Sequence, residues 1–485
     1  MKQKRVIYAN DARHFYLFVF EPPMAMEDAW RPIDDVAGTN VDTFVYMVER
    51  GDGLFYPSKV GQRFGSDIQP FDQVAYYRVW YNMQSLIDRG LDPLKVLIDR
   101  AHDKGMDFIA SLRMTSYLGL DKSLMVPDGR GFVHQEVRDH QFAVLKELTH
   151  DYATEGIEMD LSLSPGGGPF ALRAEDVDEY TPVITEYIGS IADMVHNRPG
   201  GRGRGVVGAR IYPTEAMNRR VGYDVRTWIE EGHVDYVVPM MYTYFVLDPN
   251  MPIDWVLDAS KESDTSVYGM LQPHTGTEAT AGAQSGHPSA DQMRAAAATL
   301  WDRGAEGVYT YFANWPLGDV ERRFLSDIGD PDIMAEKTKH YTLAERNEKA
   351  VELDYDQPVP VEIPEADPNK KYAIPFYIAD DIDGKADRIK HVILRVRVDN
   401  LMSADELSIS LNGRSLKEEA CTRIHGPLGP YGAQRLEFHL KDVRPTRGRN
   451  TLEISLDGRP PNMAAGVTIR DVQIIVEYSP YPSRL

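Results

Sequence analysis

Short runs of β-branched and aromatic residues alternate with longer helical patterns from about residue 12 to residue 330. This alternation is typical of βα units whose strands form one parallel sheet. Eight runs can be counted: FYLFVFE (15–21), DTFVYMVE (42–49), MDFIASLRM (106–114), GIEMDLSL (156–163), VVGARIYPT (206–214), VDYVVPMMY (234–242), SVYGMLQPH (266–274) and GVYTYFANW (307–315). Eight strands with intervening helices predict a (β/α)8 TIM barrel with enlarged loops.

The alternative fold is a doubly wound open sheet. No glycine-rich phosphate turn follows any predicted strand, which argues against that fold. Two helices carry clear signals, since residues 92–105 end on Gly105, and residues 289–304 open on a Ser or Asp cap and end on Gly304. The barrel is therefore predicted for a catalytic domain at 1–330.

The chain changes character after residue 330. Residues 331–372 combine a charged helical pattern with several prolines, which predicts a helical, proline-containing linker. From 373 to 485, short alternating strands are separated by Asn-Gly, Asp-Gly and proline-containing turns, and this pattern predicts an antiparallel β-sandwich. A length of 485 residues likewise predicts two or three domains.

The composition argues against several kinds of partner. The 53 Lys and Arg against 74 Asp and Glu give a formal charge of −21, which opposes binding to a nucleic-acid backbone. No run approaches the roughly 20 apolar residues that span a bilayer, so no membrane segment is expected. Cys421 is the single cysteine and cannot form an intramolecular disulfide. The oligomeric state stays open, as does the choice between the cytoplasm and export with a removed signal.

Two acidic residues share one face of the predicted fourth strand. Because side chains alternate along a strand, Glu158 and Asp160 point to the same side, with Asp160 nearer the C-terminal end. Like charges at close range push their pKa values apart, which lets an acid and a base coexist near neutral pH. Glycoside hydrolysis uses such a carboxyl pair. The structural alternative is an acid pair neutralised by arginine inside the barrel.

Further polar residues lie at the predicted strand ends, where barrel enzymes place their sites. They are Glu21, Glu49, Arg113, Arg210, Tyr212, Tyr242, Gln272, His274, Tyr311, Asn314 and Trp315. For a second catalytic carboxylate, Glu215 just beyond strand five is the first candidate and Glu49 is the second. The long connections after strands two, four and seven would lie at the same mouth and could act as lids.

The two arginines have two interpretations. They neutralise Glu158 and Asp160, or they clamp a carboxylate or sulfate of an anionic substrate. Because Arg113, Arg210 and His274 approach one rim, an anionic sugar is an expectation. Trp315 is interpreted as an apolar platform for a sugar face.

No metal or other cofactor is predicted. His274 and His287 are separated by a loop without zinc-binding spacing. No GxSxG motif follows a strand, and GGRGRG at 200–205 precedes a strand rather than a helix. A serine nucleophile and a phosphate loop are therefore not expected.

The run EGIEMDLS at 155–162 resembles the strand-four signature of family 18 glycoside hydrolases, in which spaced acids end in a catalytic glutamate. Glu155, Glu158 and Asp160 occupy its first three places, and Ser162 stands where the glutamate belongs. PMMYTYF at 239–245 keeps the Met-x-Tyr of that family's strand six, with Thr243 in place of its usual acid.

The layout is similar to that of the bacterial family 10-like glycosyl hydrolases over most of residues 12–330. The shared features are a GIxxD strand four, a PMxY strand six, and a final helix and strand like AAxxLWDRGAEGVYTYFANW. This resemblance implies a catalytic acid at the end of strand four, which here is Asp160 alone. The sandwich resembles galactose-binding-like modules.

The predicted function is therefore a glycoside hydrolase that acts on a poly- or oligosaccharide, with Asp160 and Glu158 as the acids of strand four. Two alternatives stay open. One is a catalytically inactive carbohydrate-binding barrel, suggested by Ser162. The other is a lyase on a uronic-type sugar that uses Tyr242 or His274 as the base.

Overall fold

The computed structural model describes residues 2–11, 16–50, 53–124, 131–162, 172–201, 203–241, 245–275, 286–346, 355–425 and 434–481. The chain forms two compact units. The first comprises Met1–Phe245, Pro252–Pro273 and Gly304–Gly329, and the second comprises Val246–Met251, His274–Arg303 and Asp330–Leu485.

Eight parallel strands of the first unit close into a barrel. They are β1 (Arg5–Asp11), β2 (Thr43–Met47), β3 (Asp107–Arg113), β4 (Gly156–Asp160), β5 (Val206–Ile211), β6 (Tyr236–Pro239), β7 (Ser266–Leu271) and β8 (Gly307–Tyr311). Around the barrel the order is β1-β8-β7-β6-β5-β4-β3-β2, and β2 pairs again with β1. The predicted (β/α)8 barrel is confirmed.

Helices alternate with these strands. Those in the described residues are α1 (Met26–Asp34), α2 (Val74–Ile87), α3 (Pro93–Asp103), α4 (Gln135–His150), α5 (Val177–His196), α6 (Glu215–Arg220), α7 (Val225–Glu230), α8 (Asp254–Ala259), α9 (Ala290–Asp302), α10 (Asp319–Asp327) and α11 (Pro331–Met334). Ser289 caps α9, as the sequence predicted, and Asp92 caps α3. None of the described helices is long and apolar enough to cross a membrane.

The first strand lies earlier in the chain than predicted. The aromatic run at 15–21 suggested a strand, whereas Arg5–Asp11 pairs with both β2 and β8. Tyr16 is fully buried although residues 16–20 form a turn, so the hydrophobic run reflects burial and not strand pairing. Glu21 consequently ends no strand. It is exposed and forms an ion pair with Arg78.

A glycine on β5 makes room for polar side chains inside the barrel. A Cβ atom on Gly208 would lie 2.0 Å from Cζ of Tyr236 and 2.3 Å from its hydroxyl. Tyr236 is 1% exposed, so its ring has no open space into which it could withdraw. The missing side chain on β5 therefore admits the Tyr236 hydroxyl to the barrel interior.

The second unit contains two antiparallel sheets. Its strands are β9 (Lys339–Thr342), β10 (Val361–Ile363), β11 (Tyr372–Ile378), β12 (Ile389–Asp399), β13 (Glu406–Leu411), β14 (Arg414–Ser415), β15 (Ala420–His425), β16 (Gln434–His439), β17 (Gly448–Gly458) and β18 (Val467–Tyr478). One sheet has the order β9-β18-β12-β16-β15 with β10 also on β18, and the other has the order β11-β17-β13-β14. Alternating side chains of both sheets form a shared core, such as Leu394 and Val472 of the first sheet and Ile409 and Ile454 of the second. The predicted β-sandwich is confirmed.

The segment predicted as a linker contributes two strands to the sheet that contains β18. Within 331–372, β9 and β10 both pair with β18. Pro360 and Pro364 flank β10, so the prolines limit its length and do not prevent it from pairing. The segment therefore has a structural role that its proline content concealed.

Candidate active site

Glu158 on β4 lies at the centre of a buried polar network. Its carboxylate accepts hydrogen bonds from the hydroxyls of Ser111 at 2.8 Å, Tyr236 at 3.0 Å and Tyr309 at 3.0 Å. Nε of Arg210 lies 3.1 Å from the same carboxylate. Burial raises the pKa of Glu158, and the Arg210 charge and the Ser111 hydrogen bond oppose that rise. Because the protein itself supplies four partners, we assign Glu158 a structural role inside the barrel.

Asp160, at the C-terminal end of β4, lies between two guanidinium groups. Its Oδ2 is 2.6 Å from Nη2 of Arg210 and 3.8 Å from Nε of Arg113. The amide and hydroxyl of Ser162 donate to its Oδ1 at 3.3 and 3.2 Å. The serine that occupies the glutamate position of the family 18 signature therefore holds Asp160 in place.

Arg113, at the end of β3, connects Asp160 to two further acids. Its Nη2 donates to Asp11 at 3.0 Å, and its backbone N–H donates to Glu49 at 3.2 Å. The second oxygen of Glu49 accepts from the hydroxyl of Ser116 at 2.5 Å. Glu49 thus joins the network from the residues that follow β2.

The network carries more acids than bases. Buried Asp11, Glu49, Glu158 and Asp160 face buried Arg113 and Arg210. Burial raises the pKa of Glu49 to about 7, the Arg113 charge and the Ser116 hydrogen bond oppose the rise, and the Asp160 charge adds to it. A carboxyl group with a pKa near 7 can donate a proton at neutral pH.

Glu215 has a different environment. It opens α6, and its carboxylate accepts from Nε of Arg226 at 2.7 Å and from Nη2 of Arg219 at 2.9 Å. The hydrogen bond from Arg226 lowers the pKa of Glu215 to about 2. A group with that pKa is an anion at neutral pH and cannot be the proton donor there. Glu215, the first candidate for a second catalytic carboxylate, therefore lies in an ion-pair cluster of α6 and α7.

The arginines do not form the expected clamp for an anionic substrate. Arg113 is 6% exposed and Arg210 is fully buried. Their guanidinium groups pair with Asp11, Glu158 and Asp160, because buried carboxylates need opposite charges. The interpretation as internal neutralisation is the one that these contacts favour.

Two other predicted rim residues lie in the barrel interior. Tyr212 is 2% exposed, and its ring stacks on Tyr223 with centroids 6.2 Å apart. Burial raises the pKa of Tyr212, and the charges of Tyr223 and Asp160 contribute to the rise. Gln272 is also 2% exposed, and its Nε2 donates to the carbonyl of Met241 at 2.8 Å.

Aromatic residues gather where β8 ends. Tyr311 is fully buried, with the Arg210 guanidinium 5.2 Å from its ring centroid. Phe245 stacks on Tyr311 at 5.1 Å. Trp315 is half-buried, and its indole N–H donates to Asp35 at 3.3 Å. Tyr311 therefore packs against the charged network, whereas Trp315 binds a residue of the α1 region.

The remaining predicted residues lie elsewhere. Tyr242 is outside the described residues. His274 belongs to the second unit, where its ring lies 5.2 Å from that of His287. In the part of the chain that the structure describes, no group of three His, Cys, Asp or Glu side chains could hold a metal ion.

Several members of the network were not predicted. They are Asp11, Ser111, Ser116, Tyr236 and Tyr309. The two-residue period could have found Ser111 and Tyr309, because they precede the named rim residues Arg113 and Tyr311 on the same strand faces. Asp11 was missed because the first strand was placed too late.

Comparisons with known proteins give only distant likenesses. No protein-family model matches the chain, and no curated protein matches it. Alpha-L-fucosidase isoenzyme 2 from Paenibacillus thiaminolyticus is 14% identical, with a TM-score of 0.43, over 69% of this chain and 50% of that one. This chain thus spans about half the length of that fucosidase.

Two further solved structures are similarly distant. An alpha-L-fucosidase from a Vibrio species is 11% identical over 97% of this chain and 96% of that one, with a TM-score of 0.41. A GH138 enzyme targeting pectin rhamnogalacturonan II is 12% identical over 68% of this chain and 39% of that one, also with a TM-score of 0.41. These likenesses assign neither a family nor an activity, and they do not support the family 10-like or family 18 resemblance.

Proposed function

We propose that the barrel is a glycoside hydrolase that cleaves a poly- or oligosaccharide by carboxyl acid–base catalysis. The proposal depends on the buried network in which Arg113 contacts both Glu49 and Asp160. Burial in this network raises the pKa of Glu49 to about 7. Asp160 ends β4 and Glu49 lies two residues beyond the end of β2, so both are on the C-terminal side of the barrel, where barrel enzymes bind their substrates.

The two carboxyl groups have different chemical environments. Glu49 accepts a hydrogen bond from the Ser116 hydroxyl and one from the Arg113 backbone N–H. With a pKa of about 7, its carboxyl group is protonated in about half of the protein molecules near neutral pH. Asp160 forms an ion pair with Arg210, whose Nη2 lies 2.6 Å from its Oδ2. This division matches what glycoside hydrolysis requires, because one carboxyl protonates the leaving oxygen while the other assists as a carboxylate.

In the proposed mechanism Glu49 donates its proton to the glycosidic oxygen. Asp160 supplies negative charge to the oxocarbenium-like transition state, as nucleophile or as base for water. Arg113 is a positioning residue, since it contacts Glu49 through its backbone and Asp160 through its guanidinium.

A second candidate function is a barrel that binds carbohydrate without cleaving it. Full burial favours it, since Glu49, Glu158 and Asp160 have no exposed surface. In that case the acids and arginines only stabilise the barrel interior. The described contacts give no support to the lyase alternative. Of its two proposed bases, Tyr242 lies outside the described residues and His274 belongs to the second unit.

Product release from a glycan panel tests the proposal. Polysaccharides and 4-nitrophenyl glycosides would be incubated with the wild-type protein and with Glu49→Gln, Asp160→Asn and Glu215→Gln. We expect the first two variants to lose about 10²- to 10⁴-fold in turnover and Glu215→Gln to stay active. Glycan binding without product release would support the non-catalytic barrel instead.

A further inference from the structure

Helix α2 presents apolar side chains to solvent. Val74, Tyr77 and Tyr81 are 66%, 46% and 41% exposed. Their spacing of three and four residues places them in one stripe along the helix. The buried side of α2 is also apolar, with Val79 and Met83 fully buried. A helix of a globular protein needs one apolar face for its core, so the exposed stripe calls for another explanation.

Aromatic rings around this stripe are held in place by their neighbours. The Tyr77 and Tyr81 ring centroids are 4.4 Å apart, and Phe71 meets Tyr77 edge-on at 6.3 Å. Phe71 also lies 6.3 Å from Trp80, and the guanidinium of Arg63 lies 3.7 Å from the Trp80 ring centroid. We call Phe71, Tyr77, Trp80 and Tyr81 the aromatic platform. Its rings are preorganised, which lowers the entropy lost when a ligand binds.

The aromatic platform lies on the mouth side of its βα unit. Helix α2 belongs to the connection that leaves the C-terminal end of β2, and its Asn82 donates to the carbonyls of Leu17 and Phe20 in the connection that follows β1. Connections after the C-terminal ends of barrel strands lie at the mouth. Arg50, the neighbour of Glu49 in sequence, has its guanidinium 4.7 Å from the ring centroid of Tyr76 on the same helix. The residue that follows Glu49 in the chain thus contacts the helix that carries the platform.

The size of the aromatic platform favours a small ligand over a protein. An aromatic side chain buries roughly 150–250 Å² when covered. At 46% and 41% exposure, Tyr77 and Tyr81 therefore offer on the order of 100 Å² each. A standard protein interface needs about 800 Å² on each partner. A few stacked sugar rings need far less area, and tyrosine combines an apolar ring face with a hydroxyl that can bond to sugar hydroxyls.

We propose that the aromatic platform binds a neutral polysaccharide chain and holds it next to the barrel mouth. A neutral polymer is expected because the formal charge of −21 repels an anionic one. The proposal rests on the proposed function for the ligand class, and it deepens that function because an extended platform outside the site indicates a polymeric substrate.

Affinity electrophoresis tests the proposal without requiring turnover. The full-length wild-type protein and the Tyr77→Ala/Tyr81→Ala double variant would migrate through native gels cast with xylan, mixed-linkage β-glucan, galactomannan or starch. Tyr481→Ala is the matched control, because Tyr481 is an exposed tyrosine at 76% that lies outside the platform. We expect at least one polymer to retard the wild-type and control proteins. The double variant should bind it about tenfold more weakly, equivalent to about 1.4 kcal/mol.

Each outcome decides the question. Equal retardation of the double variant and the wild type would overturn the proposal, and so would the absence of any retardation of the wild type. A dimer that dissociates in the double variant would also overturn it, in favour of self-association. Circular dichroism would show whether the double variant is folded. If it is not, the single Tyr81→Ala variant takes its place in the assay. Platform-dependent retardation without sugar release would refute the hydrolase and leave the platform standing.

Discussion

Replacing Glu49 by glutamine should change how the stability of the barrel depends on pH. In the folded state burial keeps the pKa of Glu49 near 7, whereas the ordinary value for the unfolded chain is 4.5. The folded protein therefore retains this proton over a range in which the unfolded chain releases it. Its contribution to stability is fully present below about pH 4.5 and is lost as the pH rises through about 7.

The size of this effect follows from the two pKa values. The interval from 4.5 to about 7, at about 1.4 kcal/mol for each pH unit, corresponds to about 3 kcal/mol. Glutamine has nearly the same shape, its oxygen can accept the hydrogen bond from the Arg113 backbone N–H, and its amide nitrogen can donate to the Ser116 hydroxyl oxygen. It does not titrate. Between about pH 5 and pH 8, the free energy of unfolding should therefore fall by about 2 kcal/mol less in the variant than in the wild type.

Urea unfolding at both pH values measures this difference. Glu215→Gln serves as the control, because the pKa of Glu215 near 2 keeps it ionised over the whole range. Its pH dependence should equal that of the wild type. If Glu49→Gln and the wild type show the same dependence on pH, Glu49 does not titrate near neutrality and the proton-donor assignment fails.

Two further predictions concern the barrel interior. Arg210→Met should destabilise the protein by about 3–5 kcal/mol, because it leaves Glu158 and Asp160 buried without their shared counter-charge. An unchanged denaturant midpoint would contradict the ion pairs. Gly208→Ala should lower the free energy of unfolding by about 1–3 kcal/mol, because the added methyl group collides with Tyr236. A thermal scan that finds no loss would show that this tyrosine can move aside.

The sequence predicted the barrel well because its strands are marked by both composition and flanking helices. Seven of the eight predicted runs coincide with barrel strands. The exception is β1, whose Asn10 and Asp11 make it look less like a strand than the buried aromatic turn that follows. Local composition cannot distinguish a run that is buried as a turn from one that pairs as a strand.

The site was predicted in part. Strand alternation placed Glu158 with Asp160, and the arginines on both neighbouring strands allowed two interpretations, neutralisation of these acids or a clamp for an anionic substrate. Sequence could not reveal that Glu215 meets Arg226, because that contact depends on how α7 packs beside α6. The raised pKa of Glu49 was equally inaccessible, since it results from burial by residues distant in the chain.

The pH dependence of sugar release tests directly whether Glu49 is the proton donor. On a glycan that the wild-type protein cleaves, we expect activity to fall as the pH rises through about 7, because Glu49 must be protonated. Glu49→Gln should reduce turnover by about 10²- to 10⁴-fold and remove this alkaline limb. Full activity of Glu49→Gln, or an unchanged alkaline limb in that variant, would contradict the account.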